Sequence, residues 1–407
     1  MKMPLLRFKK DDGSEYPDWE EKELKDACDI IGGGTPKTSI KEYWNGNIKW
    51  FTPTEITTKY VSDSIRTITD LGLMKSSAKL LPAGTVLLTT RATLGKMAIA
   101  TKECSTNQGF HSLVTKDCCI NEFVYYLQPI IEEYCMSHHT VTTFKETSKS
   151  ALEKCAIPVP CLEEQQKIAD FLSDVDVQIV NYQETLANLE AQKSGLLHQV
   201  FSQKLRFTKE DGSKYPDWEE DCINSIGTCI AGATPSTKNK AFWENGTISW
   251  LSSGEVNKRQ IFYTDKKITQ LGYDSSSTKM VKANSVVIAM AGQGKTRGTV
   301  GITRIPLCTN QSICSIETND RVLSDYLYQY LKTRYMDLRN VSSGDDTRGG
   351  LNLEIIRNFD IIYPSSLEEQ QKIADFFSDF DKRIELERQR LQAMQELKKG
   401  LLQQMFC

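Results

Sequence analysis

The chain has 407 residues, 50 Lys and Arg against 53 Asp and Glu, and a formal net charge of −3. That length allows two or three domains with substantial cores, and 39% apolar with 25% charged residues excludes a disordered chain. No run of about 18 apolar residues occurs, so no spanning helix is expected; the opening MKMPLLRFKKDDG lacks the features of a signal peptide, and a cytoplasmic location is expected.

The twelve cysteines are scattered, as at Cys28, Cys104, Cys135, Cys155 and Cys222, with no C-x-x-C spacing. The adjacent Cys118–Cys119 pair and the four histidines form no recurring ligand pattern. Reduced thiols acting as small apolar residues, and no metal site, are expected.

In chain order, the first element is a segment that returns. Residues 7–21, RFKKDDGSEYPDWEE, recur at 206–220 as RFTKEDGSKYPDWEE, identical at 12 of 15 positions. GGTPKTS at 33–39 returns as GATPSTK at 232–238, and YWNGNIKW at 43–50 as FWENGTISW at 242–250. TNQ at 106–108 reappears at 309–311, and LEEQQKIADF at 162–171 is unchanged at 367–376. A period near 200 residues is too long for a solenoid repeat and indicates one unit used twice. The second copy ends at MFC where the first, at VFS, runs on into QKLRF, much as the chain opens with PLLRF. This predicts a circularly closed arrangement with pseudo-twofold symmetry and nearby termini.

Residues 22–160 and 221–366 mix short β-type runs (IKWFT, VLLTT, ISWLS, SVVIAM) with Asn-Gly turn signals at 45–46 and 245–246. Helical patterns at NEFVYYLQPIIEEY and SDYLYQYLKTRYMDL make each copy an α+β globule. The copies diverge most at 85–100 against 285–302, and at 137–150 against the loop SSGDDTRGGLN. Shared positions should build the frame, and unshared ones should carry whatever differs between two targets.

The segments 162–202 and 367–407 carry a heptad seam. Its members are Val175, Ile179, Tyr182, Leu186, Leu189, Lys193, Leu196 and Val200, then Phe380, Ile384, Glu387, Leu391, Met394, Lys398, Leu401 and Met405. Two long helices forming an antiparallel coiled coil are expected, with Lys193 facing Glu387 and Tyr182 facing Lys398. Ser366 with Glu369 reads as a capping box at the start of the second helix; the first has Cys161 in the cap position. Residues 22–160 and 221–366 carry net charges of +2 and +4, whereas 161–220 carries −6. Mildly basic heads on acidic connectors are compatible with nucleic acid at the heads.

Catalytic patterns fail on inspection. AMAGQGKT at 289–296 lacks the first glycine of a phosphate loop and has no counterpart in the other copy. PDWEEK at 17–22 crowds its acids into one turn, and the second copy puts Asp221 in place of Lys22, so it reads as punctuation ahead of a strand. Boxes for adenine methylation, dinucleotide binding and a repeated Ser/His/Asp set are lacking, and no enzyme is expected.

The repeat, with its LEEQQKIADFLSDVD and LEEQQKIADFFSDFD segments, G-x-TP followed by W-x-x-G-x-I-x-W, and the Asn-Gln of TNQGF and TNQSI, resembles the DNA-specificity subunit of Type I restriction–modification systems. The resemblance covers essentially the whole chain; the DGSxYPDWEE opening of each copy departs from it. It implies two target-recognition domains, at 1–160 (with a strap at 1–21) and 206–365 (strap at 206–220). Conserved helical regions follow at 161–205 and 366–407. It further implies a non-catalytic chain whose recognition domains each read one half of a bipartite double-stranded DNA target. The helices would space the halves and dock methyltransferase subunits, which carry S-adenosylmethionine and methylate adenine N6; restriction subunits using ATP and magnesium join these. This chain itself is expected to bind no cofactor. A seam of about 26 residues spans about 39 Å, close to one turn of B-DNA at roughly 34–36 Å.

Base reading calls for Arg or Lys for guanine and Asn or Gln for adenine, on divergent loops. The candidates are Arg91, Thr93, Lys96, Lys145 and Lys149 in the first copy, and Gln293, Lys295, Arg297 and Arg348 in the second. Lys37 and Lys238, beside the shared TP turns, are phosphate candidates. Asn107, Gln108, Asn310 and Gln311 occur in both copies and are expected to make loop hydrogen bonds; Trp44, Trp50, Trp243 and Trp250 are expected in the core. Two other readings stay open, a protein-binding scaffold with two heads on a coiled coil and a diverged stand-alone DNA-modifying enzyme.

Overall fold

The computed structural model describes residues 4–91, 93–141, 145–292, 294–341 and 351–406. The chain forms two compact α+β units, residues 1–184 with 388–407 and residues 185–387. Both boundaries fall inside the long helices, Leu162–Phe201 and Leu367–Phe406. Each unit thus holds the start of its own helix and the end of the other copy's.

In the first unit a five-stranded sheet runs in the order Cys28–Gly32, His111–Thr115, Val86–Leu88, Met97–Ala100, Tyr60–Val61. Alternate residues point to opposite faces, and both faces are covered. Val86, Leu88, Met97 and Ile99 pack on Phe123, Val124 and Leu127; Leu87, Ala98 and Ala100 pack on Phe51, Leu81 and Phe110. That double burial explains the unbroken apolar run VLL at 86–88. A second sheet places Trp44–Phe51 between Arg66–Ile68 and Cys104–Thr106. The Asn45-Gly46 signal, read as a turn, lies inside the strand Trp44–Phe51 and shifts its register. Asn45 takes the left-handed conformation there (φ 61°), and a Cβ on Gly46 would lie 2.5 Å from the Ile68 carbonyl oxygen.

The second unit repeats the plan. Its five-stranded sheet runs Gly227–Ala231, Ile313–Thr318, Val286–Ala289, Val300–Thr303, Gln260–Ile261. Val286, Ile288, Val300 and Ile302 face Tyr326, Leu327 and Leu331, while Val287 and Ala289 face Leu251, Val256 and Ile261. The chain after Val286–Ala289 returns as the antiparallel strand Val300–Thr303 and does not enter the helix that a phosphate loop requires.

The DGSxYPDWEE segments have a structural task. In the first copy Glu20–Glu23 pairs antiparallel with Ala156–Val159, and in the second Trp218–Cys222 pairs with Asp360–Pro364. Both long helices start just after these pairs. At that start Glu164 is fully buried and accepts from Arg7 (Nη2 to Oε2 2.8 Å) and from the Trp19 indole (2.9 Å). Glu369 accepts from Arg206 at 2.9 Å. Glu369 therefore serves the strap and not the expected capping box; a charged guanidinium is the stronger partner. The next residue clamps the domain to its helix. The Gln165 amide donates to the carbonyls of Pro160 (2.8 Å) and Cys118 (2.9 Å) and accepts from the Ile120 amide (3.0 Å). Gln370 makes the same three bonds to Pro364, Arg321 and Leu323.

All sixteen residues of the seam are buried or half-buried, while Val177, Val180, Leu386 and Leu397 on the other faces are exposed. In the first unit Phe406 shares a core with Ile168 and Leu172 while Lys398 meets Asp176 at 2.5 Å, so the two helix segments run antiparallel. In the second unit Phe201 stacks on Phe377 (6.1 Å) and Lys193 pairs with Asp381, again antiparallel. The expected facing of Lys193 with Glu387 and of Tyr182 with Lys398 is thereby corrected. Both lysines reach an aspartate six residues nearer its helix start. Heptad spacing selects the inward face, but the aromatic seating of Phe201 and Phe406 sets the register.

Among the described residues the cysteines are free thiols, no cluster of His, Cys, Asp or Glu is placed to hold a metal, and no helix is long and apolar enough to cross a membrane. Burial raises the Cys104 and Cys155 thiols to about 12.

Candidate nucleic-acid interface

The shared TP and TNQ segments build one platform in each unit. Asn107 closes its own turn by accepting from the Gly109 amide (2.8 Å), as Asn310 does from Ser312 (3.1 Å). Thr35 donates to Gln108, and Thr234 to Gln311 (2.6 Å). The glycine ahead of each TP turn lets the two backbones touch. A Cβ at Gly33 would lie 2.0 Å from the Asn107 carbonyl oxygen, and one at Gly232 1.8 Å from that of Thr309. The Trp50 indole donates to Gly34 O (2.9 Å) and that of Trp250 to Ala233 O (3.0 Å). Trp44 and Trp243 stack edgewise on these at 5.1 and 5.0 Å, and each donates back to its TP loop, to Lys37 O and Ser236 O at 3.2 Å. These tryptophans hold the platform and do not lie open for base stacking.

The divergent loops rise beside this platform. In the first unit the Thr90 amide donates to Gly109 O (2.7 Å), which fixes the loop 89–96 to the TNQ turn. Arg91 continues outward, forms an ion pair with Glu146 (2.8 Å) and bridges it through the backbone. Glu146 belongs to the short pair Thr140–Val141 with Lys145–Glu146. Lys145 and Lys149 are exposed, and Lys149 also meets Glu153 at 3.8 Å. Thr93 and Lys96 are exposed on the loop between the strands, whose Gly95 (φ 82°) packs against Glu132. The structure thus gathers Arg91, Thr93, Lys96, Lys145 and Lys149 around two adjoining loops, with Arg91 already engaged by a carboxylate.

In the second unit the Met290 amide donates to Ser312 O (2.8 Å), the equivalent link. The following loop is held from the helix Tyr335–Asn340: the Tyr335 hydroxyl donates to Lys295 O (2.9 Å), and Arg339 donates to Gly294 O (2.9 Å) and Arg297 O (3.2 Å). The Lys295 side chain is exposed and Arg297 is half-buried. Gln293 and Arg348 lie outside the described residues. Lys37 and Lys238 are exposed on the TP turns.

Sequence reasoning passed over His111. Its Nδ1 meets the Thr90 hydroxyl at 2.9 Å. Burial holds its imidazole below the usual value; Glu146 opposes that, and Lys149 and Arg91 reinforce it. The signal was present, because Cys314 takes this place after TNQ in the other copy and unshared positions were expected to carry specificity.

Each unit therefore presents, on a frame built from shared residues, an edge of unshared polar and basic loops. The family model for the Type I restriction modification DNA specificity domain matches twice, at residues 16–191 and 215–396. The chain belongs to this family. It is a non-catalytic specificity subunit of a Type I restriction–modification system, of the class that recognises DNA sequence. It is 31% identical over 309 residues to the Type I restriction enzyme MjaIX specificity subunit of Methanocaldococcus jannaschii, covering 72% of this chain and 71% of that one. The putative MjaX specificity subunit of the same organism is 24% identical, with 97% and 94% covered. The S subunit of M. genitalium aligns over 100% of this chain and 99% of its own with a TM-score of 0.64 at 16% identity, a likeness of fold. The specificity-domain matches begin inside the straps, after Arg7 and Arg206, and run through most of each long helix, so they take in the strand pairs that precede the helices but not the two arginines.

Proposed function

We propose that each unit of this specificity subunit reads one half of a bipartite double-stranded DNA target, and that the long helices fix the gap between the halves. The same helices dock methyltransferase subunits, to which restriction subunits are added. The observation that carries this reading is the division of labour within the repeat. Residues identical between the copies (the strap Arg, the Glu-Gln of the helix start, the Asn-Gln turn, the tryptophans) are spent on the frame, and the differing residues form one loop edge per unit. Two copies with a common frame and different edges suit two different half-sites. The Lys and Arg of those edges offer guanine contacts, and Lys37 and Lys238 on the TP turns offer phosphate contacts.

The chain itself holds no cofactor in this reading. S-adenosylmethionine belongs to the methyltransferase subunits and ATP with magnesium to the restriction subunits, and the complex works in the cytoplasm. Co-expression with a Type I methyltransferase subunit from the same source, followed by mapping of N6-methyladenine across the host genome, tests it. A single split motif with two short specified halves around a fixed gap is expected. A stable complex without new methylation would overturn it in favour of a protein-binding scaffold.

A further inference from the structure

The junction between Asp381 and the second recognition domain is charged out of balance. Asp381 accepts from Lys193, from Gln329 (3.0 Å) and from Lys332 (3.3 Å), so two lysines share one carboxylate. The Lys193 and Lys332 side chains are only 6% and 16% exposed. Beside them opens a cleft of about 540 Å³ within this unit, whose lining includes Lys193, Ser194, His198, Arg259, Lys332 and Thr333. Arg259 is exposed at its rim on a left-handed backbone (φ 64°) and has no carboxylate partner among the described residues. Two carboxylates line the cleft, Asp381 and the exposed Glu190, so with Lys332 protonated three cations face two anions even when His198 is neutral.

The first unit holds the twin of this junction, without the surplus. Asp176 there accepts from the Tyr126 hydroxyl (2.7 Å) and Lys398 (2.5 Å). The adjoining cleft, about 410 Å³, sets Lys398 and Lys399 against Glu132 and Glu133. Lys59 also lies at this junction, donating to Tyr126 and Ser173 (2.8 Å each), so three cations there face three carboxylates, Asp176, Glu132 and Glu133, and among these residues the charges balance.

We propose that the second-unit cleft binds a phosphate group. Sequestered charge without compensation is costly. A phosphate entering beside Lys332 supplies the missing negative charge, accepts from the Arg259 fork, and meets the hydroxyls of Ser194 and Thr333. Repulsion from Asp381 is offset by Lys193 and Lys332, which hold its oxygens. The cleft exceeds the volume of phosphate itself and is of a size that takes small organic ligands. The group therefore comes either from a small phosphomonoester or from a DNA backbone, and the two sources share this chemistry.

The test titrates the full chain with inorganic phosphate against chloride at matched ionic strength, reading the thermal unfolding midpoint and the phosphorus NMR line width. The wild type should show a saturable rise in midpoint with line broadening. Arg259→Gln, a change at an exposed side chain, should weaken phosphate binding by about tenfold, as loss of one charge-assisted contact does. Lys332→Met should abolish the response while raising the midpoint in phosphate-free buffer, because it removes the surplus cation and leaves the Lys193–Asp381 pair. If free phosphate has no effect but both variants lower duplex affinity and flatten its salt slope by about one, the group is a DNA phosphate. Phosphate binding unaltered by both variants, or no effect on phosphate and duplex alike, overturns the proposal.

Discussion

Arg7 and Glu164, 157 residues apart, meet in a two-pronged ion pair, Nε to Oε1 at 3.1 Å and Nη2 to Oε2 at 2.8 Å. The second copy repeats it between Arg206 and Glu369 at 3.2 and 2.9 Å. This pair ties each strap to the start of its long helix, and it accounts for the high identity of RFxKxDGSxYPDWEE and LEEQQ. Removing one partner of a buried pair leaves an uncompensated charge, at a cost of about 3–5 kcal/mol. Arg7→Ala and Arg206→Ala should each lower stability by that order in denaturant unfolding. Arg7→Ala should be the milder, because the Trp19 indole still donates to Glu164, whereas the buried Trp218 indole has no partner. Equal stability of wild type and Arg206→Ala would show the tie to be dispensable.

The TP turn depends on contact between backbones. Gly232→Ala would drive a methyl to 1.8 Å from the Thr309 carbonyl oxygen, and Gly33→Ala to 2.0 Å from that of Asn107. Each should destabilise its unit by about 1–3 kcal/mol, the usual range for overpacking, and impair DNA binding through a displaced Gln108 or Gln311. Gly13, with open space around its Cβ but a φ of 84°, gives the comparison; a strap-tip alanine should leave DNA binding unchanged. Duplex binding by the assembled methyltransferase complex is the readout.

Much of this was legible in the sequence. The repeat pointed to two like units, and every residue of the 4,3 seam is buried or half-buried, although that spacing left out Ile168, Leu172, Ile373 and Phe377, which the cores also bury. The strap's task was not legible, because nothing local to Arg7 shows that its carboxylate lies 157 residues away. Nor was the pairing of Lys193. Periodicity names a face but not a height along it, and that height depends on Phe201 lying among Trp218, Tyr326, Tyr330 and Phe377. The Asn-Gly at 45–46 misled as a turn because a β-bulge needs the same left-handed residue. At the interface the divergence of the loops marked where to look, but the capture of Arg91 by Glu146 joins two separate loops and left no pattern.

Lys37 is exposed on a turn common to both copies, and the proposed function gives it a phosphate contact. Lys37→Ala should weaken binding about equally on cognate and non-cognate duplexes and reduce the salt slope by about one. Arg91→Ala should instead cost about 1–3 kcal/mol on the cognate duplex and relax the preference at one base position. A uniform loss from Arg91→Ala, measured over a panel of single-base variants of the target, would reassign it to the backbone.

The second-unit junction also sets a pH dependence. Burial depresses the Lys332 ammonium to about 7; Asp381 opposes this, and Lys193 and Arg259 add to it. Burial alone would raise Asp381, but Lys332 and Lys193 outweigh it and hold its carboxyl below the usual value. Between about pH 7 and the ordinary lysine value the unfolded chain binds the extra proton, so stability contributed here rises with pH, by at most about 1.4 kcal/mol per unit. Asp381 works at the other end, its contribution fading as pH falls below the ordinary carboxylate value. Thermal melts of wild type and Lys332→Met from pH 7 to 9 check this. The difference between them should shrink as pH rises, and a constant difference would contradict it.

The central claim is that each unit reads its own half of the target. Its most direct measurement is N6-methyladenine mapping with the methyltransferase partner after one loop, residues 89–96, is replaced by the corresponding loop of another specificity subunit. One half of the methylated motif should change while the other half and the gap stay as they were. Simultaneous change of both halves, or of the gap, would contradict the claim.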